Sequence, residues 1–411
     1  MVKAIASSEE MPSAMHKMID PDMALRLVVE AAERLEPVEV ELGHSVGLVL
    51  AQQVAADRDY PPFNRAMMDG YAVRLSAAGG AVAVIGELAA GGVWERPLTD
   101  GQALEIMTGA PCPEGTEAVA PKEVVDRQGE TVRLPESLKQ GQNIAPRASA
   151  CPAGRVLIDQ GEPITPLTVG VLATVGRAQL RVYPRPRVGI VSTGGELIGV
   201  DETPGPGQIR NSNGPMIAAY ACAMGLEAPR VVEAADTPEA LATALERVAA
   251  AEIVVLNGGV SAGKYDLVPQ ALTAFGAELV FHKVTQKPGK PLLFARRGRQ
   301  LFFGLPGNPL SASFGFHRYV AAAIRKMSGR RPQPEGGKGR LTDGFRVKGD
   351  RTVFQPARVE AGATGWRVAI QRNIDSADIF NIHHANAMVR LDPPVEECLA
   401  GAEVGFEWMS L

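Results

Sequence analysis

Between Val188 and Gly329 the sequence alternates strand signals with helix signals, and that alternation limits the fold more than any other feature. "RVGIVSTGGEL" is an apolar run ending in a glycine pair, and "NGPMIAAYACAMG" has helical spacing. "APRVVEAAD" is a strand, "PEALATALERVAAA" an amphipathic helix, "EIVVLNGGVSAG" a strand into a glycine loop, and "LVPQALTAFG" a helix. "LFFGLPGNPLSASFGFHRYVAAAIRKMSG" closes the series, with Asn308 as cap, Pro309 at the helix start and Gly329 at its end. Strands that alternate with helices require a parallel sheet covered by helices on both faces.

The flanking segments have a different texture. Asp20 followed by Pro21 reads as a capped helix start, and Leu25, Val28, Val29, Ala32 and Leu35 predict a helix over about 21–35. "PVEVELG" predicts a short strand, and "DYPPFNRAMMDGYAV" a loop leading into another. Residues 71–150 carry "AVAVIG", "EAVAPKEVV" and "ETVRLP" between Gly and Pro, which predicts a small β-rich domain. "RRPQPEGGKGR" at 330–340 reads as a linker, and "RTVFQPARVEAG", "WRVAIQR", "AMVRLDPP" and "VGFEWMSL" predict a C-terminal all-β module. The expected fold is multidomain α/β and β: a central three-layer αβα domain with a mostly parallel sheet, a β-rich second domain and a C-terminal β-barrel-like domain.

With 411 residues, several domains are required. The 42 basic and 46 acidic residues leave a net charge of −4, so no global field favours nucleic acid or an acidic membrane. Cys112, Cys151, Cys222 and Cys398 lack any zinc or disulfide spacing, which points to a reducing, cytoplasmic setting. The polar N-terminus lacks a secretory core. "PLTVGVLATVG" at 166–176 is too short to span a bilayer, so neither membrane nor nucleic acid is an expected partner.

In an open parallel sheet, ligands bind where strand ends lead into helix starts. "STGGEL" offers backbone NH groups and Glu196; "NGGVSAGKYD" offers glycines with Ser261, Lys264 and Asp266; "GLPGNPLSAS" offers a helix N-terminus. Glycines let amides approach a phosphate, and a helix start adds about half a positive charge. Residues 281–340 hold thirteen Lys or Arg against one acid, Glu335. A solvated face or linker accounts for Arg296, Arg297, Arg299, Arg330 and Arg331. In "QKPGKP", however, Pro288 and Pro291 stiffen the backbone around Lys287 and Lys290, which suits an oxyanion clamp. Asp69, Glu196, Asp236 and Asp266 are carboxylates suited to Mg²⁺, although each also reads as a cap or turn residue, and Asp236 equally as the N-cap of the helix after it. His383 and His384, placed on opposite faces of a strand, are not expected to share a metal.

Together "PPFNRAMMDGYAV", "MTGAPCPEGTEAV", "GQN", "STGGEL", "IRNSN", "NGGVSAGKYD", "KPGKP" and "GLPGNPLSAS" resemble, in order and spacing, the molybdopterin molybdenumtransferase family of the MoeA and gephyrin E-domain type. The resemblance runs from about Asp20 to the C-terminus. It implies a reaction in molybdenum cofactor biosynthesis in which adenylated molybdopterin receives molybdenum from molybdate, with Mg²⁺-assisted loss of AMP. It implies a catalytic set of Asp69, Thr108, Glu196, Asp236 and Asp266, with Mg²⁺ at Glu196 and Asp266. Lys287, Lys290 and Ser311 correspond to the molybdate site, and Gly258, Gly259, Ser261 and Gly263, with Thr193, Gly194, Pro306 and Pro309, to the pterin and phosphate cradle. It also implies a homodimer in which Asp69 and Thr108 act across the interface, and as partners a molybdopterin adenylyltransferase and client molybdoenzymes. The corresponding division is 15–55 plus 151–185 as an extended dimerisation domain, 56–150 β-rich, 186–329 molybdopterin-binding, and 338–411 C-terminal. The chain departs from the family pattern at Ala145 and Ala150, at Gly195, at Pro356, with Arg358 two residues on, and at Asn381. These departures leave a second reading open: a non-catalytic carrier of the pterin or finished cofactor for a client enzyme. A clustering scaffold is a third reading, and the lack of an appended arm argues against it.

Overall fold

The computed structural model describes residues 16, 18–259, 267–346, 349–394 and 397–409. The chain divides into two compact units, one of Met1–Val38, Gly47–Ala51 and Arg181–Leu411, the other of Glu39–Val46 and Gln52–Leu180.

The second unit is built on a six-stranded sheet in the order Ala118–Pro121, Gly70–Val73, Gln102–Ile106, Ala81–Leu88, Thr131–Arg133, Asp126–Gln128. Successive side chains alternate between faces. Tyr71 and Val73 pack with Val82, Ala103 and Val132, while Ala72 packs with Leu88, Leu104 and Ile106 on the other side. Gly70 has to be glycine here, because a Cβ would stand 2.1 Å from the Ala120 carbonyl oxygen on the neighbouring strand. The apolar stretch at 166–176 becomes the helix Pro166–Thr174, capped by Thr165. Among the described residues no helix is long and apolar enough to cross a membrane.

In the first unit a six-stranded sheet runs Arg230–Ala234, Val188–Thr193, Ile253–Asn257, Gln300–Leu305, Leu293–Arg297, Glu278–His282. The first four strands are parallel, as expected. The last two are antiparallel. Leu293–Arg297 runs against its neighbour because "LLFARRGRQLFFGL" turns back at Gly298 (φ 57°), giving a hairpin whose signal lay hidden in a basic stretch, and Glu278–His282 adds antiparallel to its far side. Every residue of Val188–Thr193 and Ile253–Asn257 is buried, which is why these strands read as unbroken apolar runs. Ile190, Val255 and Phe303 face Ala24, Leu27, Ile217 and Phe316. Val191, Val254 and Phe302 face Leu241, Leu245 and Leu272. Helices therefore cover both faces.

The helix expected over 21–35 ends at Ala31, where Ala32 turns to extended backbone while its N–H still closes onto Val28. The long helix from Pro309 to Met327 contains a π turn over Phe316–Val320. That wider turn presents Arg318, only 2% exposed, to Asp22 and Glu407.

C-terminal to it, five strands close into a barrel. Thr352–Gly362 pairs with both Gly365–Ile370 and Ala387–Leu391. Gly336–Leu341 and Glu403–Trp408 complete the ring. The segment read as a linker at 330–340 is thus a barrel strand from Gly336 onward, its paired glycines allowing close approach to the Phe406 backbone and ring. Val353, Val359, Val368, Val389 and Phe406 fill the barrel. One short strand outside it, Gln286–Lys287, adds in parallel to Thr352 and Val353 and so brings "QKPGKP" to the barrel wall.

Candidate functional site

The turn from Gln286 to Pro291 is fixed from beneath. Gln286 is fully buried; its Oε1 accepts from Tyr319 Oη at 2.5 Å and its Nε2 donates to the Gly289 carbonyl at 3.2 Å. Gly289 takes φ 80°, a left-handed conformation that glycine adopts without strain. The Lys290 carbonyl accepts from the N–H groups of Val284 and Leu292, both at 2.9 Å. With the backbone held this way, Lys287 and Lys290 are left exposed on the turn.

They line a cleft of about 970 Å³ together with Pro306, Asn308 and Ser311 on one side and barrel residues on the other. Arg346, Arg351 and Arg372 belong to that barrel side. Arg351 Nη1 donates to the Gln286 carbonyl at 3.4 Å, Arg346 pairs with Glu397 at 3.2 Å, and Arg372 forms no ion pair or hydrogen bond among the described residues. Lys287, Lys290, Arg351 and Arg372 therefore give the cleft an excess of positive charge. The arginines were not among the sequence candidates, because they flank barrel strands at no recognisable spacing. Arg358, the arginine singled out near Pro356, instead pairs with Glu360 on the surface. Pro356 lines the cleft, while Asn381 bonds Asp378 within its own turn.

The start of the helix at Pro309 differs from the open N-terminus expected. Asn308 occupies the cap position without capping; its Nδ2 donates to Ser376 Oγ at 2.6 Å, and the Leu310 N–H donates to the Ser376 carbonyl at 3.1 Å. A barrel turn thus takes up the Leu310 N–H, and Ser311 is left 4% exposed among the cleft-lining residues.

At the carboxyl edge of the sheet the glycine loops converge. Thr193 Oγ1 donates to Asp236 Oδ1, and the Gly195 N–H donates to Asp236 Oδ2 at 3.3 Å. The N-cap reading of Asp236 is overturned: Thr237 caps that helix, accepting from the Ala240 N–H at 3.2 Å, which frees Asp236 to tie down the "STGGEL" loop. Gly258 (φ 97°) is packed so closely on that loop that a Cβ would lie 2.1 Å from the Thr193 carbonyl oxygen. Gly259 follows, where a Cβ would stand 3.2 Å from Thr193 Cγ2. Gly194 abuts the Glu196 carboxylate, whereas the position beside Gly195 is open. Asn213 Nδ2 bridges Asn257 Oδ1 at 3.1 Å and the Gly307 carbonyl at 2.6 Å, which joins these loops to the Pro306–Asn308 border of the cleft. Ser261, Gly263 and Asp266 lie outside the described residues. No group of three metal-binding side chains occurs among the described residues, and of the expected magnesium pair only Glu196 can be placed.

Asp69 and Thr108 form a pair in the second unit. Asp69 Oδ1 accepts from the Thr108 N–H and Oγ1, each at 2.7 Å. Those bonds, with the nearby Lys122 ammonium, hold the Asp69 carboxyl below the usual aspartate range. In the 145–150 loop Arg147 pairs with Asp59 at 2.6 Å. His383 and His384 depart from the strand expectation: they sit in a turn, and their ring centroids are 3.7 Å apart, because no strand alternation separates them. Stacked as they are, they still lack a third ligand among the described residues.

Residues 19–176 match the MoeA N-terminal region (domain I and II), and residues 189–326 match the probable molybdopterin binding domain. The molybdopterin molybdenumtransferase of Staphylococcus epidermidis is 31% identical over 377 residues, covering 90% of each chain. That of Staphylococcus aureus is 32% identical over the same length and share. The crystal structure of the molybdopterin biosynthesis MoeA protein from Pyrococcus horikosii superposes with a TM-score of 0.82 at 27% identity, over 96% of this chain and 99% of that one. The molybdenum cofactor biosynthesis protein from Pyrococcus furiosus shares the fold, with a TM-score of 0.57 at 16% identity. The motifs, the αβα sheet with its barrel and these relatives agree: the chain belongs to the molybdopterin molybdenumtransferase family.

Proposed function

We propose that this protein acts in molybdenum cofactor biosynthesis by transferring molybdenum from molybdate to adenylated molybdopterin, with release of AMP. The observation that carries this reading is the pinned Lys287 and Lys290 pair lining one cleft with Arg351 and Arg372, a cleft whose Pro306–Asn308 border is tied to the glycine-loop strand end through Asn213. Molybdate is a tetrahedral dianion. A lysine pair and arginine forks supply charge-assisted donors to it, each worth about 1.5–3 kcal/mol when water is displaced. Ser311, which also lines the cleft, is proposed to add a hydroxyl donor. The backbone amides at Gly194 and Gly259 are proposed to meet the phosphates of the adenylated pterin, while Gly258, whose N–H donates to the Leu305 carbonyl at 3.2 Å, shapes the cradle with Thr193, Pro306 and Pro309, and Ser261 and Gly263 would extend it. Glu196 and Asp266, with Asp236 steadying their loop, are proposed to hold Mg²⁺, which would neutralise charge developing on the leaving phosphate.

The assembly is proposed to be a cytoplasmic homodimer in which Asp69 and Thr108 of one copy serve the other's site. Residues 15–55 with 151–185 would form its extended part, beside domains 56–150, 186–329 and 338–411. An adenylyltransferase would supply the adenylated pterin, and molybdoenzymes would receive the product.

The open space beside Gly195, where family members carry aspartate, favours a second reading: a carrier that binds pterin without cutting it. Purified protein given adenylated molybdopterin, molybdate and Mg²⁺ decides between them. Molybdate- and Mg²⁺-dependent AMP release supports the transferase; tight pterin binding with no AMP release supports the carrier.

A further inference from the structure

Part of the basic excess in 281–340 is taken up by the fold. Lys287 and Lys290 face the cleft, Arg296 pairs with Glu278, Arg299 with Glu33 and Glu36, Arg318 with Asp22 and Glu407, and Lys338 with Glu403. Among the rest, Arg325 and Arg330 stand apart by lying in one pocket. They meet Arg185 in a second, small pocket that shares no residue with the cleft and is completed by Ser328, Tyr183 and Gly47.

None of these three arginines pairs with a carboxylate among the described residues. Arg325 Nη1 and Ser328 Oγ are buried without a hydrogen-bond partner, which is costly unless something satisfies them. Arg185 is clamped by bare backbone: a Cβ at Gly47 or at Gly225, both left-handed, would stand 2.9 Å from its guanidinium. Arg330 Nη2 donates to the Gly47 carbonyl. Burial, followed by the charge of Arg330, works against protonated Arg185. At Arg325 burial again leads, and Glu335 offsets part of the repulsion.

Two helices, Asn213–Ala223 and Ala321–Met327, end at the pocket, beside Met224 and Ser328. Each helix end contributes about half a negative charge, and Glu335 one more, so three guanidiniums keep roughly one positive charge uncompensated. The enclosed space, about 10 Å³, takes a single water-sized atom.

We propose that this pocket binds a tetrahedral oxyanion of the phosphate or sulfate class. One oxygen enters between Arg325 and Ser328, and the others meet the forks of Arg185 and Arg330 at the mouth. The anion then fastens the Gly47 turn and the strand end at Tyr183 to the end of the long helix, in the same unit as the cleft but apart from it.

The test uses the full-length Lys287→Ala/Lys290→Ala protein to weaken phosphate binding in the cleft, and the pocket's share is read as the part of the signal that Arg330→Gln or Arg185→Gln removes. Inorganic phosphate is titrated at constant ionic strength, with chloride as the balancing anion, and Tm is followed. The proposal expects a saturable rise of about 2–4 °C. Adding Arg330→Gln or Arg185→Gln should raise the half-saturating phosphate at least tenfold. Line broadening of the phosphorus-31 signal of phosphate by the same protein, lost with Arg330→Gln, gives a readout independent of unfolding. Absence of any rise beyond chloride, or a rise and broadening that both substitutions leave unchanged, overturns the proposal.

Discussion

Gln286 is the residue on which the lysine pair depends. Its amide satisfies Tyr319 Oη on one side and the Gly289 carbonyl on the other, both buried. Gln286→Leu keeps the volume and removes both bonds, so it should cost about 1–3 kcal/mol in urea unfolding. Because the turn then loses its anchor, the apparent KM for molybdate should rise about tenfold with pterin affinity unchanged. A matching loss of pterin binding would show that Gln286 supports the fold generally and not the turn. Asp69 allows a separate test by pH. Its carboxyl is held below the ordinary value by Thr108, so its contribution is present above the unfolded pKa of about 3.9 and is lost as pH falls through the folded one. Asp69→Asn should therefore lose less Tm than the parent between pH 5 and pH 2.5; parallel profiles would contradict this.

Among the elements, Phe354 joins the barrel to the long helix. Its ring packs on Phe314 with centroids 4.5 Å apart and lies 4.7 Å from the Arg318 guanidinium. Phe354→Ala should cost about 3–5 kcal/mol, measured by denaturant unfolding. Glu407→Gln leaves Arg318 short of one charged partner and should cost about 1–3 kcal/mol in the same assay. The elements legible in the sequence were those with their own local signal: buried apolar strands, the Pro309 helix start and the strand runs of the barrel. Gly336–Leu341 was read as linker because its glycines and charges mimic one, and only closure of the barrel makes it a strand. The lysine turn was visible through its prolines. Its partners were not, since Arg351 and Arg372 reach the cleft by tertiary placement, and Asp236 looked like a cap until Thr237 took that role.

Across the whole molecule the net charge is −4, yet the cleft gathers lysines and arginines, so anion capture depends on a local field. Raising ionic strength should weaken molybdate use progressively. If Asp69 serves the partner's site, mixing Asp69→Ala and Lys287→Ala proteins, each impaired at limiting molybdate, should restore part of the activity through hybrid dimers, and no recovery would place both residues in one copy's site. The cleft beneath Lys287 and Lys290 is the proposed molybdate site. AMP release from adenylated molybdopterin, measured across molybdate concentrations for the parent and for Lys287→Ala/Lys290→Ala, tests it most directly. The apparent KM for molybdate should be at least tenfold higher in the variant with pterin affinity preserved, and equal molybdate dependence in the two proteins would rule out this cleft as the molybdate site.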